Sequence, residues 1–105
     1  MLELSRMIFG EKTATDFTEL VRQGAVIVDV RTPGEYQDGH IEGSVNISVG
    51  RLKESEKLLP AKSSPIITCC ATGGRSASAK DLLESLGYTR VYNGGGWAEL
   101  KDKLR

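Results

Sequence analysis

The residue with the clearest chemical potential is Cys70, which the sequence places at the start of a glycine-containing loop. The segment from Cys70 to Ser76 reads Cys-Ala-Thr-Gly-Gly-Arg-Ser and leads from a predicted strand directly into a predicted helix. In such a loop, successive backbone N–H groups can turn inward and form a concave anion site. A thiol held there has a lowered pKa, because the N–H dipoles and the charge of Arg75 favour the thiolate. We therefore predict that Cys70 is a nucleophile.

The rest of this loop is the predicted binding site for the molecule that the thiolate attacks. A cysteine that only packs a core needs neither a following glycine pair nor an arginine at the start of a helix. The glycines allow the backbone to curl around the thiol. The predicted substrate-binding residues are Ala71, Thr72, Gly73, Gly74, Arg75 and Ser76.

The other candidate residues are predicted to have structural roles. Cys69 continues the strand, so its side chain should point away from that of Cys70. Asp29 and Arg31 are expected to support the site as an ion pair or loop anchor, and Trp97 is expected in the core. His40, the sole histidine, is expected to be a hydrogen-bonded loop residue. With no second cysteine pair either, we expect no metal site.

The elements that position these residues alternate between strands and helices. Buried strands are predicted at residues 25–30 and 65–69, with shorter strands at 44–47 and 90–93. Helices are predicted at 15–23, with Thr13 or Thr15 as N-cap, and at 51–59, 76–86 and 97–104. We also expect one helical turn at 35–38 and a tight turn at the glycines 94–96.

This order predicts an α/β fold, a small three-layer arrangement in which helices cover both faces of a mostly parallel sheet. Ligands of such sheets bind beyond the carboxyl ends of the strands. Three segments should therefore meet at one edge: residues 29–31, the Cys70 loop and the glycines 94–96.

Length, composition and charge narrow the class of protein. A chain of 105 residues with 39% hydrophobic and 27% charged residues suits one globular domain. Basic and acidic residues both number 14, so no overall field attracts nucleic acid or an anionic membrane. The first ten residues contain Glu3 and Arg6 and do not resemble a secretory signal, which makes the cytoplasm the expected location.

The segments together resemble the rhodanese-like sulfurtransferases in their single-domain form. The resemblance rests on Val28-Asp29-Val30-Arg31-Thr32-Pro33-Gly34-Glu35-Tyr36, on Gly39-His40-Ile41-Glu42-Gly43-Ser44-Val45-Asn46-Ile47, on Ile66 to Cys70 with Gly73 and Arg75-Ser76, and on Gly95-Gly96-Trp97. It implies a rhodanese-like domain over residues 13–105, with residues 1–12 as an N-terminal extension.

The resemblance implies a reaction in two halves. The Cys70 thiolate would take the outer sulfur of a small anionic donor such as thiosulfate and become a persulfide. A thiophilic acceptor, cyanide in vitro or a protein thiol, would then remove that sulfur, and no cofactor would be needed. Many family members have a basic residue directly after the catalytic cysteine, whereas this chain has Ala71. The pocket should therefore be less positive.

Two alternatives stay open at the level of sequence. Counted from Cys69, the loop has five residues before Arg75 and Ser76, which is the signature of thiol-dependent phosphatases and arsenate reductases. Counted from Cys70, it has only four, a tighter loop that suits a sulfur atom. A non-catalytic rhodanese-like module that binds protein partners is the second alternative.

Overall fold

The computed structural model of the protein describes residues 15–104, and the predicted extension at 1–12 lies outside them. Within the described residues, four strands alternate with helical segments, as the sequence predicted. The strands are β1 (Val26–Asp29), β2 (Val45–Asn46), β3 (Ile66–Cys70) and β4 (Val91–Gly96). The α-helices are α1 (Phe17–Arg22), α2 (Pro33–Asp38), α3 (Gly74–Ser85) and α4 (Trp97–Lys103), and 3₁₀ turns occupy Val49–Arg51 and Lys53–Leu58.

The strands form one parallel sheet in the order β2-β1-β3-β4. Strand β3 is central, and all five of its residues are buried. Its continuous apolar pattern follows from having a layer on each face. All the carboxyl ends lie at one edge, which is the edge that the Cys70 loop follows.

Alternation along the strands divides the core into two layers. On one face, Val28, Ile66 and Cys70 pack with Ala79 and Leu83 of α3. The opposite layer contains side chains from α1, from the sheet, from the loop after α2 and from α4: Phe17, Leu20, Ile27, Ile41, Ile67, Cys69 and Leu100. The predicted three-layer α/β arrangement is therefore confirmed.

Two helices depart from the sequence prediction. Helix α1 is capped by Asp16, whose carboxylate accepts from the backbone N–H of Glu19 at 3.0 Å, and not by Thr15; the other predicted cap, Thr13, lies outside the described residues. The predicted helix at 51–59 is instead a pair of 3₁₀ turns with a kink at Ser55. Leu52 is fully buried, but Leu58 is 59% exposed. The segment thus lacks the continuous apolar face that holds a helix against a core.

The glycines 94–96 end a strand and do not form the predicted tight turn. Thr68 pairs with Asn93 whereas Cys70 pairs with Gly96, so β4 contains one extra residue, a β-bulge. A Cβ on Gly94 would lie 2.8 Å from the carbonyl oxygen of Thr68, and one on Gly96 would lie 2.9 Å from that of Ala71. The backbone of the triplet therefore approaches β3 and the Cys70 loop closely, which leaves no room for side chains at these two positions.

Candidate active site

Cys70 is the last residue of β3, and a three-residue loop separates it from α3. Its Sγ accepts hydrogen bonds from the backbone N–H groups of Gly73 at 3.0 Å and Ser76 at 3.2 Å. Gly73 has a φ of 111°, a left-handed conformation that favours glycine. The sulfur therefore lies in a cradle of amides at the N-terminus of a 12-residue helix.

Ser76 adds a side-chain contact to this cradle. Its Oγ lies 3.4 Å from Cys70 Sγ, 3.0 Å from the carbonyl oxygen of Gly73 and 2.6 Å from Oδ1 of Asn93. The same Oδ1 accepts from the N–H of Gly95 at 2.9 Å, which identifies it as the oxygen. The single hydroxyl proton thus has three acceptors within reach. When Cys70 is a thiol it donates to Ser76; when it is a thiolate, Ser76 can turn its proton to the sulfur.

These contacts lower the pKa of Cys70. Burial raises it, since the residue is only 1% exposed. The hydrogen bond with the Ser76 hydroxyl and those from the amides of Ser76, Gly73 and Thr72 outweigh burial, and the net pKa is lower than the ordinary value. The Ser76 hydroxyl and the amides, rather than the charge of Arg75 that was expected to contribute, are the main causes that lower the pKa.

Cys69 lies on the opposite face of the sheet and is fully buried. Burial, together with the charge of Asp29, raises the pKa of its thiol to about 12. Its side chain is therefore a neutral packing group at physiological pH. This thiol does not face the loop, so the phosphatase loop counted from Cys69 is not assembled.

Arg75 does not aim its guanidinium at the sulfur but binds Glu35 of α2. Nη1 and Nη2 donate to the two carboxylate oxygens at 2.9 and 3.1 Å. Arg75 is the main cause that lowers the pKa of Glu35 to about 2. Glu35 is the main cause that raises the pKa of Arg75, and the charge of Cys70 also contributes. The two side chains are 41% and 38% exposed, so the pair lies at the mouth of the site, within electrostatic reach of the sulfur.

A second ion pair anchors the end of β1. Arg31 donates from Nη2 and Nε to the carboxylate of Asp29 at 2.8 and 2.9 Å, and both residues are buried. Its Nη2 also reaches the carbonyl oxygen of Gly39 at 2.7 Å. Its guanidinium lies 4.7 Å from the centre of the Trp97 ring. This network fixes the loop after β1 relative to α4.

The remaining predicted site residues do not touch the sulfur through side chains. Ala71, Thr72 and Gly74 are exposed on the loop and the first turn of α3. His40 is an exposed loop residue whose Nδ1 lies 2.7 Å from the carbonyl oxygen of Tyr36. Trp97, expected in the core, is only half-buried, although it packs against the second layer.

Two residues of this edge went unnoticed in the sequence. The signal for Glu35 is its position three residues after Thr32, which matches a capping box but does not reveal its contact with Arg75. Asn93 gave no signal. In the described part of the chain, no group of three His, Cys, Asp or Glu side chains could hold a metal ion. No helix there is long and apolar enough to span a bilayer.

The three predicted segments do converge at the carboxyl edge. Asp29 pairs with Cys69 in the neighbouring strand, Ser76 donates a hydrogen bond to Asn93, and Gly96 lies against Ala71.

Fold and site together define an α/β domain in which a cysteine sulfur, between a central strand and a helix, accepts hydrogen bonds from backbone amides. Residues 13–103 match the rhodanese-like domain family, and the chain belongs to that family.

Named relatives of this chain are sulfurtransferases. The putative mitochondrial thiosulfate sulfurtransferase of Schizosaccharomyces pombe is 34% identical over 96 aligned residues, which span 79% of this chain and 68% of that protein. The thiosulfate sulfurtransferase PspE of Escherichia coli is 40% identical over 76 residues, 71% of this chain and 70% of that protein. The family relationship therefore supports sulfurtransferase activity in general.

Solved structures agree with this assignment. A rhodanese with anions from E. coli superposes with a TM-score of 0.69 at 35% identity, covering 72% of this chain and 91% of that one. A human single-domain sulfurtransferase gives a TM-score of 0.72 at 29% identity and covers 83% and 90%. The rhodanese fold is thus shared over most of the chain.

Proposed function

We propose that this protein transfers a sulfane sulfur from a donor such as thiosulfate to a thiophilic acceptor through a persulfide on Cys70. The observation that carries the proposal is the Cys70 sulfur in its cradle, with hydrogen bonds at 3.0 and 3.2 Å from the amides of Gly73 and Ser76. Such a cradle favours the thiolate, which is the nucleophilic form.

In the first half of the reaction, the thiolate attacks the outer sulfur of thiosulfate. A bond forms between Cys70 Sγ and that sulfur while the bond to the sulfonate sulfur breaks, and sulfite leaves with the electron pair. The product is a persulfide anion. In the second half, cyanide attacks the outer sulfur, thiocyanate leaves, and the thiolate of Cys70 is restored.

The loop residues have separate roles in this scheme. The amides of Thr72, Gly73 and Ser76 hold the negative charge on sulfur, and the hydroxyl of Ser76 donates to the thiolate. The ion pair of Asp29 and Arg31 supports the edge without touching the substrate. A lowered pKa reduces the need for a general base, because it raises the fraction of Cys70 that is thiolate before the donor arrives.

Intact-protein mass spectrometry after incubation with thiosulfate tests the proposal. We expect wild type to gain one sulfur atom, which cyanide then removes as thiocyanate. Cys70→Ser should gain nothing, since a hydroxyl cannot form a persulfide, whereas the matched control Cys69→Ser should behave as wild type. No sulfur gain in wild type would overturn the mechanism and favour the protein-binding alternative. A gain that survives in Cys70→Ser would show that another residue carries the sulfur, and would overturn the role of Cys70.

A further inference from the structure

We propose that Glu35 determines donor specificity: by neutralising Arg75 it favours sulfur donors that carry a single negative charge, such as organic persulfides and thiosulfonates, over the thiosulfate dianion. This inference rests on the sulfur-transfer function proposed above. It adds a residue that is 35 positions from Cys70 in the sequence and names the chemical class of donor that the site prefers.

The geometry of the pair is that of a closed ion pair. Both terminal nitrogens of Arg75 are engaged by the two oxygens of one carboxylate, at 2.9 and 3.1 Å. A guanidinium bound in this way already makes the two parallel hydrogen bonds that it would otherwise offer to the oxygens of a sulfonate. An incoming sulfonate must therefore displace Glu35 or approach without the help of this arginine.

Glu35 is held in place by its own helix. Its Oε1 accepts from the backbone N–H of Thr32 at 3.0 Å and from the hydroxyl of Thr32 at 3.1 Å, which completes a capping box at the start of α2. The carboxylate is thus positioned independently of the Cys70 loop. An exposed pair of this kind contributes little to stability, so its main consequence is the electrostatic field at the mouth of the site.

The charges around the sulfur leave only a modest positive potential. Asp29 and Arg31 form a second closed pair, and Ala71 carries no charge where a basic residue would face the donor. The remaining attraction comes from amides at the start of α3, equivalent to about half a positive charge. That potential suits the one negative charge of the thiolate or persulfide. A dianionic donor brings two further negative charges, and the amides do not offset the repulsion between those charges and the negative sulfur.

The chemistry is balanced for both donor types. With a thiosulfonate anion, the thiolate takes the outer sulfur, and the sulfur–sulfur bond breaks to release a sulfinate. With an organic persulfide, the same attack releases a thiolate. No external oxidant or reductant is required in either case, and each produces the same Cys70 persulfide.

The substitution Glu35→Gln removes the charge and keeps an oxygen to accept from Thr32. We would measure kcat/KM for thiosulfate and for the methanethiosulfonate anion, which has one negative charge less, with cyanide as acceptor. The thiosulfate/methanethiosulfonate ratio should rise roughly fivefold at low ionic strength, and the rise should shrink in high salt. The matched control is Glu84→Gln, which releases Lys80 at the far end of α3 and should leave the ratio unchanged.

A second measurement reads the same charge without sulfur transfer. Cys70 alkylation by iodoacetate and by neutral iodoacetamide should show an iodoacetate/iodoacetamide rate ratio that rises roughly threefold in Glu35→Gln. If the thiosulfate/methanethiosulfonate ratio and the iodoacetate/iodoacetamide ratio both stay the same in Glu35→Gln, even where the individual rates change, the specificity role is wrong. If wild type takes sulfur from neither donor, the proposed function is wrong, and the alkylation ratio alone decides whether Glu35 selects by charge.

Discussion

Two neighbouring thiols on one strand have opposite environments. Cys69 is packed between Ile67 and the helices α1 and α4, and burial raises its pKa to about 12. Cys70 is equally hidden from solvent but accepts hydrogen bonds from the amides of Gly73 and Ser76, and its pKa is lowered. Burial alone therefore does not decide the reactivity of a cysteine; the hydrogen-bond donors supplied on each face of the sheet do.

The largest expected difference between the two thiols is in alkylation. At pH 7 and limiting iodoacetamide, we expect Cys70 to react at least about a thousandfold faster than Cys69, because a thiol with a pKa near 12 is almost never ionised. Site-resolved peptide mass spectrometry measures both rates. In denaturant the two rates should converge, and fast labelling of Cys69 in the folded protein would contradict the comparison.

The Ser76 hydroxyl is the side-chain contribution to this contrast. In Ser76→Ala the pKa of Cys70 should rise, and alkylation near neutral pH should slow roughly tenfold, because a hydrogen bond to a charged sulfur is lost. The rate–pH profile measures the shift. Ser85→Ala, which removes a hydroxyl from the last turn of the same helix, is the control; equal profiles for the two variants would exclude the role of Ser76.

The opposite pKa shifts should also give opposite pH dependences of stability. Cys69→Ala should cost about 1 kcal/mol near pH 7. The pKa of Cys69 is raised from 9.0 to about 12, so its neutral thiol favours the folded state below pH 9, and that advantage decreases as the pH rises toward 12. By pH 10 the wild type should have lost about 1 kcal/mol of its free energy of unfolding, so its advantage over Cys69→Ala should be close to zero.

Cys70→Ala provides the matched comparison for that experiment. The folded pKa of Cys70 is lowered, so its thiolate stabilises the folded state increasingly as the pH rises toward the unfolded value, and the contribution is lost on acidification. The stability gap between wild type and Cys70→Ala should therefore widen toward pH 9. Urea unfolding at several pH values measures both gaps, and parallel trends in the two variants would contradict the assignment.

The smallest expected effect is at the loop rim. Ala71→Arg should raise kcat/KM for thiosulfate about two- to threefold at low salt, because Ala71 is exposed beside the thiol and an exposed charge is screened as salt rises. The charge-neutral control is Ala71→Gln. If the arginine variant gains no more than the glutamine variant, donors do not approach over residue 71.

Local patterns in the sequence were sufficient for the framework of this site. The apolar run before Cys70 and the glycines after it specify a strand, a loop and a helix start, and each signal depends on residues a few positions apart. The bond from Ser76 to Asn93 spans 17 residues and that from Arg75 to Glu35 spans 40. Such pairs depend on strand order and on the bulge in β4, which no short window of sequence contains.

Errors in the element boundaries have similar physical reasons. The glycines 94–96 combine a positive φ at Gly95 with close packing at both neighbours, and in the sequence this triplet is indistinguishable from a turn. The segment 51–59 has helix-forming residues, but only Leu52 is fully buried, and Leu59 at its end is partly buried against the same core. Propensity therefore predicted a helix where the core supports only short 3₁₀ turns.

The cradle around Cys70 is built mainly from backbone amides, and this separates two properties that an enzyme engineer would wish to vary independently. Side chains at Ala71 and Thr72 project to solvent, and a Cβ on Gly74 would meet nothing within 4 Å. Gly73, by contrast, is fixed by its φ of 111°. If Cys70 is the nucleophile, as we propose, a combinatorial library at positions 71, 72 and 74 should change which donors react while the hydrogen bonds to the sulfur are kept.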